Sequence, residues 1–438
     1  MRLWPSGGLW RNPDFLKLWS AETVSQFGTQ ISQLALPLAA IDVLHASAFE
    51  VAALATVEFL PFLLVSLPAG VWVDRLPRRP ILVIGDLSRA ALLLSIPIAY
   101  FFDALTIWQM YGVGFLVGIA TVFFDVAYQS YLPALVERQQ IIDGNAKLEI
   151  SRTTAQFGGP GFAGLLISWL KAPVAILLDA LSFLASAFFI FAIRKHEQAR
   201  ADRAPHRKMR VELREGLSYV LGHPYLKYIA ACTALFNFFG SMTFAILLVF
   251  ARRTLDLGPG AIGLAMMLGN LGGLLAAAST ARITARLGVG RTIIGTAIVG
   301  GPMFLAMPFA PHGHLALSVM VPAWIIGSFS GVAYNITQIS LRQAITPERI
   351  QGRMNSVMRF IVWGTIPLGS FTGGVVASQI GLKPTLIVGG IGSCLPFLPV
   401  LFSQVRHVRD MPEPIEEEVV PQIVTVAVEE TPVPSPRP

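Results

Sequence analysis

The chain has 438 residues, of which 54% are hydrophobic and 13% are charged, and its mean hydropathy is +0.62. Because soluble domains carry about 25% charged residues, this composition excludes an ordinary soluble domain and indicates an integral membrane protein. The net charge of +7 comes from short basic clusters between hydrophobic blocks, not from one basic domain. We therefore expect no nucleic-acid partner.

Twelve apolar blocks are long enough to cross a bilayer, which takes about 20 helical residues each. The polar, Gly- and Pro-containing N-terminus does not resemble a signal peptide, so we expect the first block to stay attached. The sequence thus predicts an all-α membrane protein with twelve transmembrane helices. The blocks cover residues 16–44, 48–73, 80–102, 107–133, 146–170, 173–193, 226–251, 260–281, 292–310, 315–339, 356–380 and 384–404.

The distribution of Lys and Arg predicts the orientation. With a cytoplasmic N-terminus, the outer segments hold only Lys171, Arg252, Arg253 and Lys383 of the 33 Lys and Arg residues, as the positive-inside rule requires. Both termini are then cytoplasmic. The predicted organisation is a cytoplasmic N-terminus (1–14), a six-helix bundle (15–194), a basic cytoplasmic linker with an amphipathic helix (195–224), a second six-helix bundle (225–404) and a disordered, acidic, Pro-rich cytoplasmic tail (405–438).

The two halves of the chain repeat weakly. Residues 124–134 align without gaps with residues 334–344, and the same offset pairs Asn145 with Asn355. A constant offset favours duplicated six-helix units, so we expect two pseudo-symmetric bundles.

A charged loop, GVWVDRLPRRP, follows the second apolar block. Its pattern resembles the signature loop of the major facilitator superfamily, from which it departs at Pro77. The fold that this resemblance implies is the twelve-helix, two-bundle major facilitator fold. The matching residues are Gly70, Asp74, Arg75, Arg78 and Arg79.

The resemblance implies that this loop is a conformational latch. Asp74 would face the start of the eleventh span near residues 354–359, where the helix dipole favours an acid, and Arg78 would pair with Asp125. Such a latch would hold the halves together in an outward-facing state.

Further phrases between residues 15 and 402 resemble the drug:proton antiporter-3 branch, which contains macrolide and enterobactin exporters. Within the fifth span, Gly159, Pro160 and Gly164 resemble the antiporter motif of the superfamily, although Ala155 and Ala163 replace glycines of that motif. Small residues permit close helix approach and proline permits a bend, so ordinary tight packing is the alternative interpretation.

A polar stripe on the first span and its counterpart on the seventh predict a substrate cavity. Glu22 begins the first stripe, and residues at this helical spacing must face protein or water rather than lipid. The aromatic neighbours in the seventh span suit an amphipathic cargo. Helix–helix hydrogen bonding away from any cavity is the alternative. The cavity candidates are Gln26, Gln30, Gln33, Phe236, Asn237 and Ser241.

Three acids within predicted spans, Glu22, Glu58 and Asp179, are candidates for proton coupling, because an intramembrane carboxylate is costly when ionised. Structural pairing with Arg89 or Arg152 is the alternative.

Polar residues at the inner ends of the fifth and tenth spans predict a cytoplasmic gate with ion pairs. They share one helix face in each span. The gate candidates are Glu149, Arg152, Gln338 and Arg342.

These observations predict a monomeric secondary exporter in a bacterial inner membrane. It would move a hydrophobic or amphipathic small molecule, of the drug, macrolide or siderophore type, out of the cytoplasm. Transport would proceed by alternating access in exchange for protons. Its partners would be this small molecule, protons and membrane lipid. An uptake or lysophospholipid transporter of the same superfamily and a non-transporting receptor are alternatives. No nucleotide-binding loop, metal-ligand spacing or catalytic cluster occurs, so we expect no cofactor, no metal and no enzymatic activity.

Overall fold

The computed structural model describes residues 8–73, 76–195, 209–410 and 412, and the described chain is built from helices joined by short turns. The N-terminal half comprises seven helices. They are α1 (Pro13–Asp42), α2 (Ala48–Leu64), α3 (Ser66–Val73), α4 (Arg78–Phe101), α5 (Ile107–Leu135), α6 (Ile141–Leu170) and α7 (Ala172–Phe191).

The basic segment between the halves contributes one described helix, α8 (Met209–Gly222), and residues 196–208 of the predicted linker lie outside the described residues. The C-terminal half follows. Its helices are α9 (Leu226–Arg253), α10 (Pro259–Gly269), α11 (Leu271–Leu287), α12 (Val289–Ala306), α13 (Leu317–Ile345), α14 (Glu348–Ile380), α15 (Leu382–Ser393) and α16 (Phe397–Leu401).

Helix ends follow the local sequence. The Asn12 side chain accepts hydrogen bonds from the backbone N–H groups of Asp14 and Phe15 at the start of α1, and Ser47 with Glu50 forms a capping box before α2. The predicted single span 48–73 is divided at Val65. Pro68 explains this break, because it has no N–H to donate to the carbonyl of Leu64.

Nine helical segments in the described part of the chain are long and apolar enough to cross a membrane. They correspond to nine of the twelve predicted spans. The other three predicted spans fall on α1, on α6 and on α2 with α3. Polar side chains lower the hydropathy of α1 and of the first part of α6, and α2 has only 17 residues. The nine segments are Arg78–Phe101, Ile107–Leu135, Ala172–Phe191, Leu226–Arg253, Pro259–Leu287, Val289–Phe309, Gly313–Ile345, Ile350–Ile380 and Leu382–Leu401.

Four pairs of described helices join the two halves: α1 with α9, α2 with α9, α2 with α14 and α6 with α10. We call the end of the molecule that carries Arg79 and Arg194 the basic end. Contacts from three of these pairs lie toward the opposite end, where Asp42 bonds to Arg252, Gly374 packs on Ala52 and Gly164 approaches the carbonyl oxygen of Pro259. The halves are therefore joined away from the basic loops.

The chain remains packed beyond the last span. Val405 is fully buried, and the carbonyl of Arg409 accepts a hydrogen bond of 3.1 Å from the N–H of Val289 at the start of α12. Residues 405–410 of the predicted disordered tail therefore contact the C-terminal half. Residues 411 and 413–438 of that tail lie outside the described residues.

Candidate functional site

Arg89 of α4 is the centre of a buried charged cluster in the N-terminal half. It is 5% exposed and hydrogen-bonds to Asp86, three residues earlier on the same helix. The guanidinium carbon Cζ lies 4.1 Å from the ring centroid of Phe124 and 4.2 Å from that of Phe183. These two cation–π contacts and a bonded carboxylate compensate in part for removing this charge from water.

Three further carboxyl groups interact electrostatically with Arg89. Glu22 comes from α1, Asp125 from α5 and Asp179 from α7. We name Arg89, Asp86, Glu22, Asp125 and Asp179 the Arg89 cluster. Its residues come from four helices, and one of its four acids, Asp86, bonds directly to the buried guanidinium while the other three interact with it electrostatically.

Asp125 is also the point where the cluster reaches the rest of the molecule. Its carboxylate interacts electrostatically with Arg152 of α6 and with Arg359 of α14. Arg359 belongs to the C-terminal half, so the field of the cluster extends across the two halves.

The polar stripe of α1 divides among different environments. Gln26 Nε2 donates to Glu22 Oε1 at 2.7 Å, while Glu22 itself is buried. Gln30 packs on Gly159 of α6, where an added Cβ would lie 2.5 Å from Gln30 Cγ, and Gln33 is exposed. The stripe thus supplies a carboxyl group to the Arg89 cluster and a helix contact farther along.

Asp179 lies at the contact between α7 and α1. It is 1% exposed, and its Oδ1 accepts a hydrogen bond of 3.1 Å from Ser182 Oγ. A Cβ at Gly28 of α1 would lie 2.4 Å from the same oxygen, so this close approach requires glycine.

Glu58 lies apart from the Arg89 cluster, between α2 and α5. A Cβ at Gly114 of α5 would lie 3.1 Å from Glu58 Cγ, and within the described chain Glu58 Oε1 is buried without a hydrogen-bond partner. The three acids singled out in the sequence therefore occupy two places, with Glu22 and Asp179 in one and Glu58 in the other.

A separate polar cavity of about 50 Å³ lies within the C-terminal half, and we name it the α9–α13 cavity. Of the predicted cavity residues, Phe236 and Asn237 line this cavity, and Gln26, Gln30, Gln33 and Ser241 are not among its lining residues. Asn237 Nδ2 also donates to the carbonyl of Val362 at 2.9 Å. The lining residues are Cys232, Thr233, Phe236, Asn237, Thr296, Ala297, Ser330, Gly331, Tyr334 and Asn335.

The predicted gate residues are arranged differently in the two halves. In the C-terminal half Arg342 bridges α13 and α14, because Nη1 donates to Gln338 Oε1 at 3.2 Å and Nη2 donates to Asn355 Oδ1 at 2.9 Å. In the N-terminal half Glu149 and Arg152 are exposed on α6.

The antiporter-like segment forms part of the contact between the halves. A Cβ on Gly164 would lie 2.6 Å from the carbonyl oxygen of Pro259, and one on Gly263 would lie 2.3 Å from the carbonyl oxygen of Pro160. Gly159 faces α1 instead. Backbone approaches this close exist only because the residues are glycines.

The predicted latch is only partly described, because Asp74 and Arg75 lie outside the described residues. Around Gly70 there is open space for a Cβ. Arg79 bonds to the backbone carbonyls of Ile190 and Phe191 at the end of α7. Arg79 thus joins two helices of the same half.

Asp86 was not among the residues selected from the sequence. Its signal was available, because Asp86 and Arg89 are the only charged residues of α4 after Arg79, stand three residues apart and therefore share a helix face. The convergence of Asp125 on the same arginine required the packing of α4 against α5.

Comparison with known proteins agrees with this architecture. The transmembrane secretion effector family matches residues 8–433. The multidrug efflux pump Tap of Mycolicibacterium fortuitum is 26% identical over 411 residues, covering 89% of this chain and 97% of the relative. The uncharacterized MFS-type transporter YfiS of Bacillus subtilis (strain 168) is 26% identical over 393 residues, which cover 87% of this chain and 91% of the relative.

Among solved structures, a bacterial homologue of the iron transporter ferroportin in the inward-facing state superposes with a TM-score of 0.73 at 17% identity, covering 90% of this chain and 99% of that chain. This likeness concerns the fold alone. The predicted resemblance to the major facilitator superfamily and its drug-efflux branch is confirmed, as is the prediction of a transporter rather than an enzyme. The chain is a multi-pass membrane transporter that belongs to the transmembrane secretion effector family of the major facilitator superfamily.

Proposed function

We propose that this transporter exports a hydrophobic or amphipathic small molecule from the cytoplasm in exchange for protons. The Arg89 cluster is the observation that carries the proposal. Four carboxyl groups interact with one buried guanidinium, and even with Arg152 and Arg359 as further partners of Asp125, ionising all four away from water leaves negative charge in excess. Proton binding relieves that cost, so the occupancy of the cluster by protons can drive a conformational change.

The electrostatic interaction between the Arg89 cluster and the C-terminal half supports a way to couple proton binding to movement of the halves. Arg359 of α14 interacts with Asp125, so a proton gained or lost in the N-terminal half alters an electrostatic interaction with the C-terminal half. Coupling requires that proton binding change the relative stability of the inward-facing and outward-facing arrangements of the halves.

The contacts between the halves support alternating access as the mechanism. Asp42–Arg252 and Gly164–Gly263 join the halves toward the end opposite the basic end. In the proposal, twelve spans form two six-helix bundles, and these contacts open when the bundles rock toward the outward-facing state. The basic end and both termini lie on the cytoplasmic side of a bacterial inner membrane, and a monomer suffices for transport.

The relative Tap supports the direction of transport, because it is a multidrug efflux pump and matches 89% of this chain. Glu58 provides a second position for proton binding, since its Oε1 has no hydrogen-bond partner among the described residues.

A deletion strain tests this proposal. Loss of the gene should raise the accumulation of, and the susceptibility to, at least one compound in a panel of dyes, macrolides and siderophores, and the wild-type gene should restore export. Lower accumulation in the deletion strain would instead indicate uptake. Unchanged accumulation of the panel and of labelled lysophospholipid would count against transport of this cargo class.

A further inference from the structure

The α9–α13 cavity differs chemically from the Arg89 cluster. Its polar side chains are hydroxyl, amide and thiol groups, and none of its ten lining residues is charged. The aromatic ring of Phe236 forms an apolar part of the wall. A cavity of this composition favours an uncharged group that forms hydrogen bonds, because a charged group would be desolvated there without a counterion.

Ser330 provides a free hydrogen-bonding group in this cavity. The residue is 2% exposed, and within the described chain Ser330 Oγ is buried without a partner. Buried hydroxyls are ordinarily satisfied, and one left without a partner is costly. By contrast, the hydroxyl groups of Thr233 and Tyr334 form a hydrogen bond of 2.7 Å with each other. Each of them therefore already has a partner, and we assign them to the wall of the cavity.

Gly331 keeps the cavity open. It is the next residue of α13 and lines the same cavity, and a Cβ built on it would meet no atom within 4 Å. An added side chain would therefore enter open space rather than a packed contact. Glycine in the middle of a helix costs about 0.5–1 kcal/mol relative to alanine, so helix stability does not explain this residue.

We propose that the α9–α13 cavity binds an uncharged hydrogen-bonding group of the cargo, such as a hydroxyl or amide, with Ser330 as its direct partner. The inference rests on the proposed function, whose cargo it narrows to amphipathic molecules with a neutral polar group. At about 50 Å³ the cavity holds such a group and not a whole drug-sized molecule. The apolar body of the cargo would lie outside the cavity.

Binding to the purified full-length chain in detergent tests this inference separately from transport. The probes are chloramphenicol, which is neutral and carries hydroxyl and amide groups, and ethidium, a permanent cation. Dissociation constants are measured by calorimetry for the wild type, Ser330→Ala and Gly331→Leu. Ser393→Ala is the matched serine control, because Ser393 Oγ is also buried without a partner in the described chain but lies outside the cavity.

Gly295→Leu is the matched glycine control, because a Cβ added at Gly295 would also meet no atom within 4 Å and Gly295 does not line the cavity. Thermal unfolding of each variant shows whether it is folded. We expect Ser330→Ala to weaken chloramphenicol binding about three- to tenfold, as expected for one hydrogen bond. Gly331→Leu should weaken it by more than about tenfold by filling the cavity. Both controls should bind as the wild type does.

Four results would overturn the inference. They are no chloramphenicol binding by the wild type, unchanged chloramphenicol binding in Ser330→Ala, equal chloramphenicol binding by Gly331→Leu and Gly295→Leu, and ethidium binding that Ser330→Ala and Gly331→Leu weaken as much as chloramphenicol binding. Export without proton coupling would contradict the proposed function but leave this binding result standing. Conversely, proton-coupled export with chloramphenicol binding unchanged in Ser330→Ala and Gly331→Leu would remove only the cavity assignment.

Discussion

Arg252 of α9 and Asp42 of α1 form a salt bridge between the two halves, with Arg252 Nε 2.9 Å from Asp42 Oδ1 and 3.1 Å from Oδ2. The next residue, Arg253, donates from Nη2 to the carbonyl of Ala46 at 2.7 Å. Both interactions lie at the end opposite the basic end. They must break whenever the halves separate at that end.

Asp42→Asn should therefore increase the population that is open at this end. The two side chains are 29% and 28% exposed, and such pairs contribute at most about 1 kcal/mol, so the population ratio should change by no more than about fivefold. Distances between spin labels on the ends of α1 and α9 measure the change. Lys383→Gln is the control, because the ammonium group of Lys383 lies over the ring of Phe309 and does not join the halves. A distance distribution identical to that of the wild type would contradict the prediction.

Arg89→Gln should destabilise the protein strongly, because it leaves the buried Asp86 carboxylate without its bonded cation. Breaking a buried ion pair costs about 3–5 kcal/mol. Thermal unfolding in detergent measures the loss, and the double variant Arg89→Gln with Asp86→Asn should recover part of it. A single variant as stable as the wild type would show that the pair contributes little.

Gly164→Ala should destabilise the contact between the halves, since the added Cβ would lie 2.6 Å from the carbonyl oxygen of Pro259. Overpacking of this kind costs about 1–3 kcal/mol. Gly158→Ala is the matched control on the same helix, because its Cβ meets no atom within 4 Å. Unfolding temperatures compare the two. Equal stability of both variants would contradict the close approach of α6 and α10.

The positions of most helices were predictable from hydropathy because nine of the predicted spans coincide with apolar helices. Breaks within spans were harder to predict. Asn270 separates α10 from α11 inside the predicted span 260–281, where three nearby glycines have low helix propensity. The break at Val65 depends on the missing N–H of Pro68, which hydropathy does not register.

The sequence indicated Glu22, Glu58 and Asp179 because charge inside an apolar block is conspicuous. It could not show that Glu22 and Asp179 share Arg89 while Glu58 lies elsewhere, since that depends on how α1, α4 and α7 pack. Partners distant in the chain, such as Asp42 and Arg252, carry no local pattern that connects them.

His223 should make stability depend on pH below neutrality. It lies between α8 and α9, is 7% exposed, and accepts a hydrogen bond at Nδ1 from the N–H of Tyr225. Burial lowers the pKa of His223 from 6.5 to about 4, so the folded chain holds the neutral imidazole.

Since the unfolded chain binds the proton more readily, the stability from His223 is complete above pH 6.5 and is lost progressively as the pH falls toward 4. Unfolding temperatures between pH 7 and pH 4 should fall less steeply for His223→Gln than for the wild type. Parallel pH profiles for the two proteins would refute this role.

Proton exchange through Glu22 is tested most directly by measuring proton flux in inverted membrane vesicles. The deletion strain first identifies an exported compound. This compound is then added to the vesicles, and a pH-sensitive dye reports the protons that are released. Glu22→Gln keeps the shape of the side chain and cannot ionise, so it should reduce coupled proton movement by at least about tenfold. Glu50→Gln, which alters a capping carboxylate outside the Arg89 cluster, should leave it unchanged. Wild-type proton flux in Glu22→Gln, or export that ignores the pH gradient, would contradict proton coupling through the Arg89 cluster.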